Sequence, residues 1–214
     1  MLYFDIGANI GRWAIDNLHH NHTHNQHTNK VIALEPIPKT FGMLQSNTAM
    51  YPEVVCLNYA VCNNNGEDVV FYDALDIHTL STLNLEWITD NKSRFCDTPY
   101  KKITCPTITI DTLIKTYGVP DLIKIDVEGG EYECITSLTQ KANVLCFEWA
   151  SELDDVSFKC LDYLFSLGYS KFYLQFEDNY VFRPNEGDYY DLEIIKARLL
   201  QTTPKKEWGM IWCM

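Results

Sequence analysis

Apolar residues in this chain come in short runs, separated by stretches with helical spacing. Leu2–Ile6 is an apolar run ending in Asp-x-Gly and reads as a buried strand, and Ile10–Leu18 as a helix. Lys30–Glu35 is expected as a second strand. Pro38 then sits where a first helical turn tolerates proline, and Phe41, Met43 and Leu44 give a helical face running to Met50. Val54–Val61 reads as a third strand, Asn63–Gly66 as a turn and Asp68–Tyr72 as one arm of a hairpin. The stretch Asp73–Thr104 is the least regular, and Leu80–Leu83 within it is expected as a loop near a site. Thr107–Ile110 reads as a short extended piece. Asp111 is expected to cap a helix over Thr112–Tyr117 that Gly118 stops. Asp121–Val127 is the clearest central strand, and a helix through Leu138 follows Gly129 and Gly130. Asn143–Trp149 is expected as a strand, Asp155–Leu167 as a helix, and Tyr169–Phe176 and Glu207–Cys213 as the last strands. Strands alternating with helices of this length predict an α/β fold with a mostly parallel sheet and helices on both faces. Ligands in such sheets bind beyond the carboxyl ends of the strands. That edge gathers Asp5–Gly11, Glu35 with Pro36, Asp126–Gly130, and Glu148 with Trp149.

Composition narrows this picture. At 214 residues, 46% hydrophobic and 21% charged, the chain suits one domain with a full core. No run approaches the roughly 18 apolar residues of a membrane span, and no secretory signal is visible, so a cytoplasmic location is expected (host cytoplasm if the source is viral). The net charge of −12 disfavours a nucleic-acid partner, whose phosphates need Lys and Arg. The eight cysteines form no Cys-x-x-Cys pair and read as buried, reduced thiols. Five of the six histidines lie in His19–His27, expected to be a polar loop at the end of the sheet opposite the ligand edge rather than a metal site. Most of the abundant aromatic rings are expected in the core, while some suit a sugar-binding face.

Three segments carry chemistry. Asp5-Ile-Gly7-Ala8-Asn9-Ile-Gly11 leaves the first strand and opens a helix. A glycine-rich turn lets backbone approach a ligand, helix N-terminal amides can hold a carboxylate, and Asp5 suits the amino group of a zwitterion. Its spacing is not Gly-x-Gly-x-x-Gly, so a dinucleotide is less favoured. Glu35 ends the second strand, close to 20 residues on, where an acid suits both hydroxyls of a ribose. Asp126, Glu128 and Glu131 end the central strand, and Glu148 ends its neighbour.

These blocks resemble the FkbM-type methyltransferases. The likeness rests on Phe4–Gly11, on Ala33–Pro38 with Phe41, Leu44 and Asn47, on Thr109–Leu113, and on Asp121–Glu131, and covers roughly residues 2 to 150. It implies the Rossmann-like class I methyltransferase fold, a seven-stranded, mostly parallel sheet whose final strand, here Glu207–Cys213, is antiparallel. It implies S-adenosylmethionine as cofactor and O-methylation, often of a sugar hydroxyl in a glycan or glycoside, sometimes in a module fused to or associated with a glycosyltransferase, including in large DNA viruses. Carried over by position, Asp5, Gly7, Ala8, Asn9 and Gly11 hold the methionine part, Glu35 with Pro36 the ribose, and Asn58, Tyr59 and Ala60 lie near the adenine, with Asp126 also on the cofactor side. Family members usually have sequence before the first strand, so a domain of a longer protein, or a minimal version, is expected here, with Asp73–Thr104 and Asp178–Pro204 as the candidate substrate walls.

Methyl transfer to a sugar hydroxyl needs the hydroxyl proton removed. Asp126 and Glu128 are the expected catalytic acids and bases, with His78 as a competing base. Alternatively Asp126 and Glu148 hold Mg²⁺ or Mn²⁺, hard ions suited to oxygen ligands, which lowers the hydroxyl pKa. Other readings keep the chemistry and change the acceptor to a small metabolite, lipid or protein side chain. A further one makes the chain a non-catalytic partner of a glycosyltransferase, and the last is a nicotinamide-dependent enzyme.

Overall fold

The computed structural model describes residues 1–19, 29–75, 77–202 and 206–214. The histidine-rich segment expected as a polar loop lies, beyond His19, outside the described residues. Seven strands make the main sheet: β1 (Leu2–Ile6), β2 (Lys30–Leu34), β3 (Val54–Leu57), β7 (Leu122–Ile125), β8 (Val144–Ala150), β9 (Phe172–Phe176) and β10 (Trp208–Cys213). Their spatial order is β3-β2-β1-β7-β8-β10-β9. All neighbours run parallel except β10, which lies antiparallel between β8 and β9. The order reverses between β1 and β7, and a ligand crevice opens at that switch. A smaller sheet of β4 (Ala60–Val61), β5 (Asp68–Asp73) and β6 (Lys101–Ile108) stands beside it, ordered β4-β6-β5.

The strands are apolar on both faces because both faces are covered. In β1, Tyr3 faces a layer built with Trp13, Ala14 and Leu18 of α1 (Arg12–His19) and Leu44 of α2 (Pro38–Thr48). Its neighbour Phe4 faces the opposite layer, with α4 (Ile110–Tyr117), α5 (Glu131–Ile135), α6 (Asp154–Ser166) and α7 (Leu192–Leu200). Over the β8-β10-β9 half, the face that α1 and α2 leave open is covered by aromatic side chains. Phe182 stacks on Tyr173 at 5.6 Å and meets Trp212 edge-on at 6.3 Å. All eight thiols are free, six of them buried, and no helix among the described residues is long and apolar enough to cross a membrane.

Four local expectations change. The predicted third strand divides after Leu57, because the Asn58 amide donates to the Glu35 and Pro36 carbonyls at 2.8 and 3.0 Å and turns the chain. Ala60 and Val61 then pair with Thr107 and Ile108 of β6 instead of continuing the main sheet. The partner of β5 is the eight-residue β6, whose alternation Lys101, Lys102 and Pro106 obscure in the sequence. Helix α4 is capped by Thr109, whose hydroxyl accepts from the Thr112 amide, while Asp111 binds Thr139 through its amide and hydroxyl. Helix α5 stops at Ile135, since Ser137 donates to the Cys134 carbonyl and accepts from the Ile110 amide.

Two glycines predict opposite outcomes. A Cβ at Gly7 (φ +76°) would lie 1.8 Å from the Asp126 carbonyl oxygen. Gly7→Ala is therefore expected to cost about 3 kcal/mol or more. Gly42, exposed in the middle of α2, has nothing within 4 Å of the same position. Gly42→Ala is expected to add up to about 1 kcal/mol through helix propensity. Urea unfolding midpoints at unchanged slope check both.

Candidate active site

The crevice at the strand switch is a cavity of about 330 Å³. Its floor is fixed by Lys124, which the alternation of β7 turns to the α1/α2 face and which is 4% exposed. The Nζ lies 3.2 Å from Asp5 Oδ1 and 3.2 Å from Asp126 Oδ2, and donates to the Gly7 carbonyl at 3.1 Å. Burial works against the ammonium, but Asp126 and Asp5 more than offset it, and the pKa is held above the ordinary lysine value. The contact to Asp5 is an ion pair, and among the described residues neither Asp5 oxygen has an aligned hydrogen-bond donor. Asp5 is fully buried, and burial raises its pKa against the pull of Lys124.

The β1-to-α1 turn forms one end of the cavity. Four of its amides are committed inside the protein: Gly7 and Ala8 donate to the Leu34 carbonyl, Gly11 to the Ala8 carbonyl and Asn9 to Glu35 Oε2. They are not free to hold a ligand carboxylate, as the sequence suggests. What the turn presents instead is Asn9, at φ +50°, whose Oδ1 is buried without a hydrogen-bond partner. Glu35 also accepts from the Ile37 amide at 2.9 Å. Burial outweighs these two bonds and pushes its pKa up to about 7.

The other end is acidic. One carboxylate oxygen from each of Asp126, Glu128 and Glu148 lies within 4.8 Å of the others. Enclosure by the protein, followed by the Asp126 charge, raises Glu128 well above the ordinary carboxylate range, while a hydrogen bond from Trp87 opposes the shift. Glu148 is raised for the same first reason, then by Glu128 and Asp126. Glu128 sits at φ +57°, a conformation costly for a side chain with a Cβ. It is held there from the segment that looks irregular in the sequence. Thr82 donates to its carbonyl at 2.5 Å, Asn84 to the Gly129 carbonyl at 3.2 Å, and the Trp87 indole of α3 (Leu85–Thr89) to its Oε2 at 2.9 Å. Glu131 lies behind the cavity wall, its Oε1 accepting from the Val127 amide at 3.1 Å. His78 joins the wall from a short 3₁₀ turn, His78–Leu80, with its Nδ1 buried and unpartnered.

Of the residues singled out in the sequence, the fold brings Gly7, Ala8, Asn9, Glu35, Pro36, Ala60, His78, Asp126, Glu128 and Glu148 to this one cavity. Three others do not line it. Asp5 is sealed beneath Lys124, which takes the charge the sequence assigns to a ligand amine. A Cβ on Gly11 would meet Leu44 and Thr48, so this glycine serves the packing of α2. Asn58 spends its amide on the Glu35 and Pro36 carbonyls and shapes the wall from behind. Sequence reasoning passed over Lys124, although its place in an apolar strand was a signal. It also passed over Arg12 and Trp208, which line the cavity from distant segments, whereas Tyr59 lies in the segment expected near the adenine and Asp178 and Tyr180 in one expected as a substrate wall. Asp178 is raised to about 6 by burial and then by Asp126.

Removing the central charge tests this arrangement. Lys124→Met leaves Asp5 buried without a counter-charge, at an expected cost of about 3–5 kcal/mol. Asp5→Asn in the same chain is expected to recover part of the loss, as a double-mutant cycle in urea will show.

A model of the methyltransferase FkbM domain matches residues 5–171. No curated protein matches by sequence. Among solved structures, the chain is similar to a precorrin-6y C5,15-methyltransferase from Geobacter metallireducens, at 14% identity and a TM-score of 0.48. That match covers 100% of this chain and 79% of the other. It is also similar to a precorrin 8w decarboxylase from Methanobacterium thermoautotrophicum, at 9% identity and a TM-score of 0.49, with 100% and 81% covered. The FkbM domain match runs from the end of β1 through α6 and takes in the ends of β2, β7 and β8 that form the floor of the cavity, and the chain belongs to the FkbM family of S-adenosylmethionine-dependent methyltransferases.

Proposed function

We propose that this enzyme methylates a hydroxyl group of a sugar, in a glycan or a glycoside. The observation that carries the reading is the division of one cavity into two chemically different ends. Asn9 and Glu35 stand at one end, and Asp126, Glu128 and Glu148 at the other. The first end fits S-adenosylmethionine. The orphaned Asn9 Oδ1 is an acceptor suited to an ammonium, and Glu35 lines the wall with acceptor capacity for ribose hydroxyls. Tyr59, Ala60 and Val61 give the apolar wall that an adenine ring needs. When bound, the cofactor supplies a methyl group carried on a cationic sulfonium.

The acidic end does the work on the acceptor. An alcohol is a weak nucleophile until its proton leaves, and a carboxylate within hydrogen-bond reach can take it. Glu128 and Glu148, raised by enclosure and by the charges beside them, are suited to accept a proton from a hydroxyl and share it. Glu128 is the favoured base, because Thr82 and Trp87 fix its carbonyl and its carboxylate together. His78, in the same wall, is the competing base. The closeness of the three carboxylates supports a second reading, in which Mg²⁺ or Mn²⁺ takes the place of the shared proton.

The decisive assay offers labelled S-adenosylmethionine with a panel of glycosides, and with lipid, peptide and small-metabolite acceptors. Label entering only non-sugar acceptors would overturn the sugar reading. Glu128→Gln is expected to lower kcat about 100-fold or more, and His78→Ala far less. Full activity in EDTA would remove the metal reading; loss restored by Mg²⁺ or Mn²⁺ would establish it. The pH dependence of cofactor-side binding has a definite sign. Below pH 7 the raised Glu35 carries a proton that a ribose diol must displace, so affinity for S-adenosylhomocysteine falls as pH drops. Between pH 8 and pH 6 the expected loss is about 10-fold, and Glu35→Gln flattens it in calorimetry.

A further inference from the structure

A second, open cleft of about 650 Å³ adjoins the cavity, lined by Arg12, Asp16, Trp208 and residues 176–181. Arg12, Asp178, Tyr180 and Trp208 belong to the walls of both, so one void runs into the other. We infer that this cleft is the acceptor subsite and that it takes a neutral, hydroxylated ring stacked on Phe176 and Trp208. The inference rests on the sugar reading above and adds where the acceptor lies and what charge it carries.

The two aromatic side chains are the last residue of β9 and the first of β10, both at the ligand edge of the sheet. Phe176 is 51% exposed and Trp208 37% exposed, in a chain whose other four tryptophans are at most 5% exposed. Rings left in water at the mouth of a cavity are available surface for an apolar ligand face. They are also rigidly mounted. Phe176 meets the buried Trp149 edge-on at 5.6 Å. The Glu177 amide donates to the Trp208 carbonyl at 2.9 Å. At Gly209 the strands pack so closely that a Cβ would sit 2.1 Å from the Gln175 carbonyl oxygen, which fixes the backbone beside Trp208. A platform already in place spends little entropy on binding.

The polar lining selects among ligands. Among the described residues, the lining holds the carboxylates of Asp16, Glu177 and Asp178 and one guanidinium, that of Arg12, which lies over the Tyr180 ring at 5.9 Å. Three carboxylates to one cation repel a phosphate or a uronate but accept hydrogen bonds from hydroxyls. Asp178 stands where cleft and cavity meet, so a ring seated on Phe176 can direct a hydroxyl toward the Asp126, Glu128 and Glu148 cluster.

Phe176 and Asn179 line the cleft but not the cavity, so changing them leaves the cofactor side intact. The experiment titrates intact protein with neutral methyl glycosides and a methyl glucuronide, reading tryptophan emission and the KM for methyl transfer. S-adenosylhomocysteine affinity is measured beside it by calorimetry. Phe176→Ala and Trp208→Ala are expected to raise KM for the glycoside about 10-fold or more, and Asn179→Ala by less. Trp208→Phe is expected to recover most of the affinity while abolishing the emission response. S-adenosylhomocysteine affinity is expected to stay within about twofold in the Phe176 and Asn179 variants, and the glucuronide to bind more weakly at low salt. A glycoside methylated with unchanged KM in both alanine variants overturns the cleft and leaves the sugar reading standing. Methyl transfer confined to non-sugar acceptors overturns the sugar reading itself. No emission response to any neutral glycoside up to about 50 mM, well past a millimolar Kd, overturns the inference directly.

Discussion

A single buried ammonium holds the centre of this molecule together. Lys124 joins Asp5 on β1 to Asp126 at the end of β7 and donates to the Gly7 carbonyl on the turn between them. The three contacts lie at the strand switch, where β1 and β7 end. The buried Asp5 carboxylate would be costly alone, and the ammonium would be costly without its two carboxylates. Together they set the spacing of the glycine turn and the acidic strand end, and hence the width of the cavity. The charge also explains how an acidic protein can crowd carboxylates into one wall, because Asp126 is partly neutralised from below.

From that anchor the cavity divides along the sheet. The β1 and β2 side presents Asn9 and Glu35, acceptors whose neighbours are backbone amides and an apolar wall. The β7 and β8 side presents Asp126, Glu128 and Glu148, whose neighbours are one another. Similar side chains therefore have different proton affinities and different jobs. Burial raises all three glutamates, but two amides oppose the shift at Glu35, whereas neighbouring carboxylates add to it at Glu128 and Glu148. The strained turn at Glu128 survives because Thr82, Asn84 and Trp87 bind it from three sides. A segment without clear periodicity thus becomes the clamp on the proposed base.

Much of the fold was legible in the sequence. The buried strands are continuous apolar runs because both faces are covered, and the helices keep a 3.6-residue period because only one face is. Leu2–Ile6, Asp121–Val127 and Asn143–Trp149 read correctly for that reason. The elements that failed were set by side chains from elsewhere. Asn58 breaks the third strand by bonding Glu35 and Pro36 carbonyls, and Ser137 ends α5 by bonding α4.

By itself, the sequence determined the order of strands and helices, the glycine-containing turn after β1 and the acids that end β2, β7 and β8. These depend on local backbone preference and on periodicity, which neighbouring residues carry. Only the tertiary structure decided that Asp5 faces Lys124 across 119 positions instead of facing a ligand, and that the Gly7, Ala8, Asn9 and Gly11 amides are spent within the protein. It alone brought Arg12, Asp178 and Trp208 to one mouth. Ion pairing and burial act through space, and no local pattern along a chain records which distant charge will arrive.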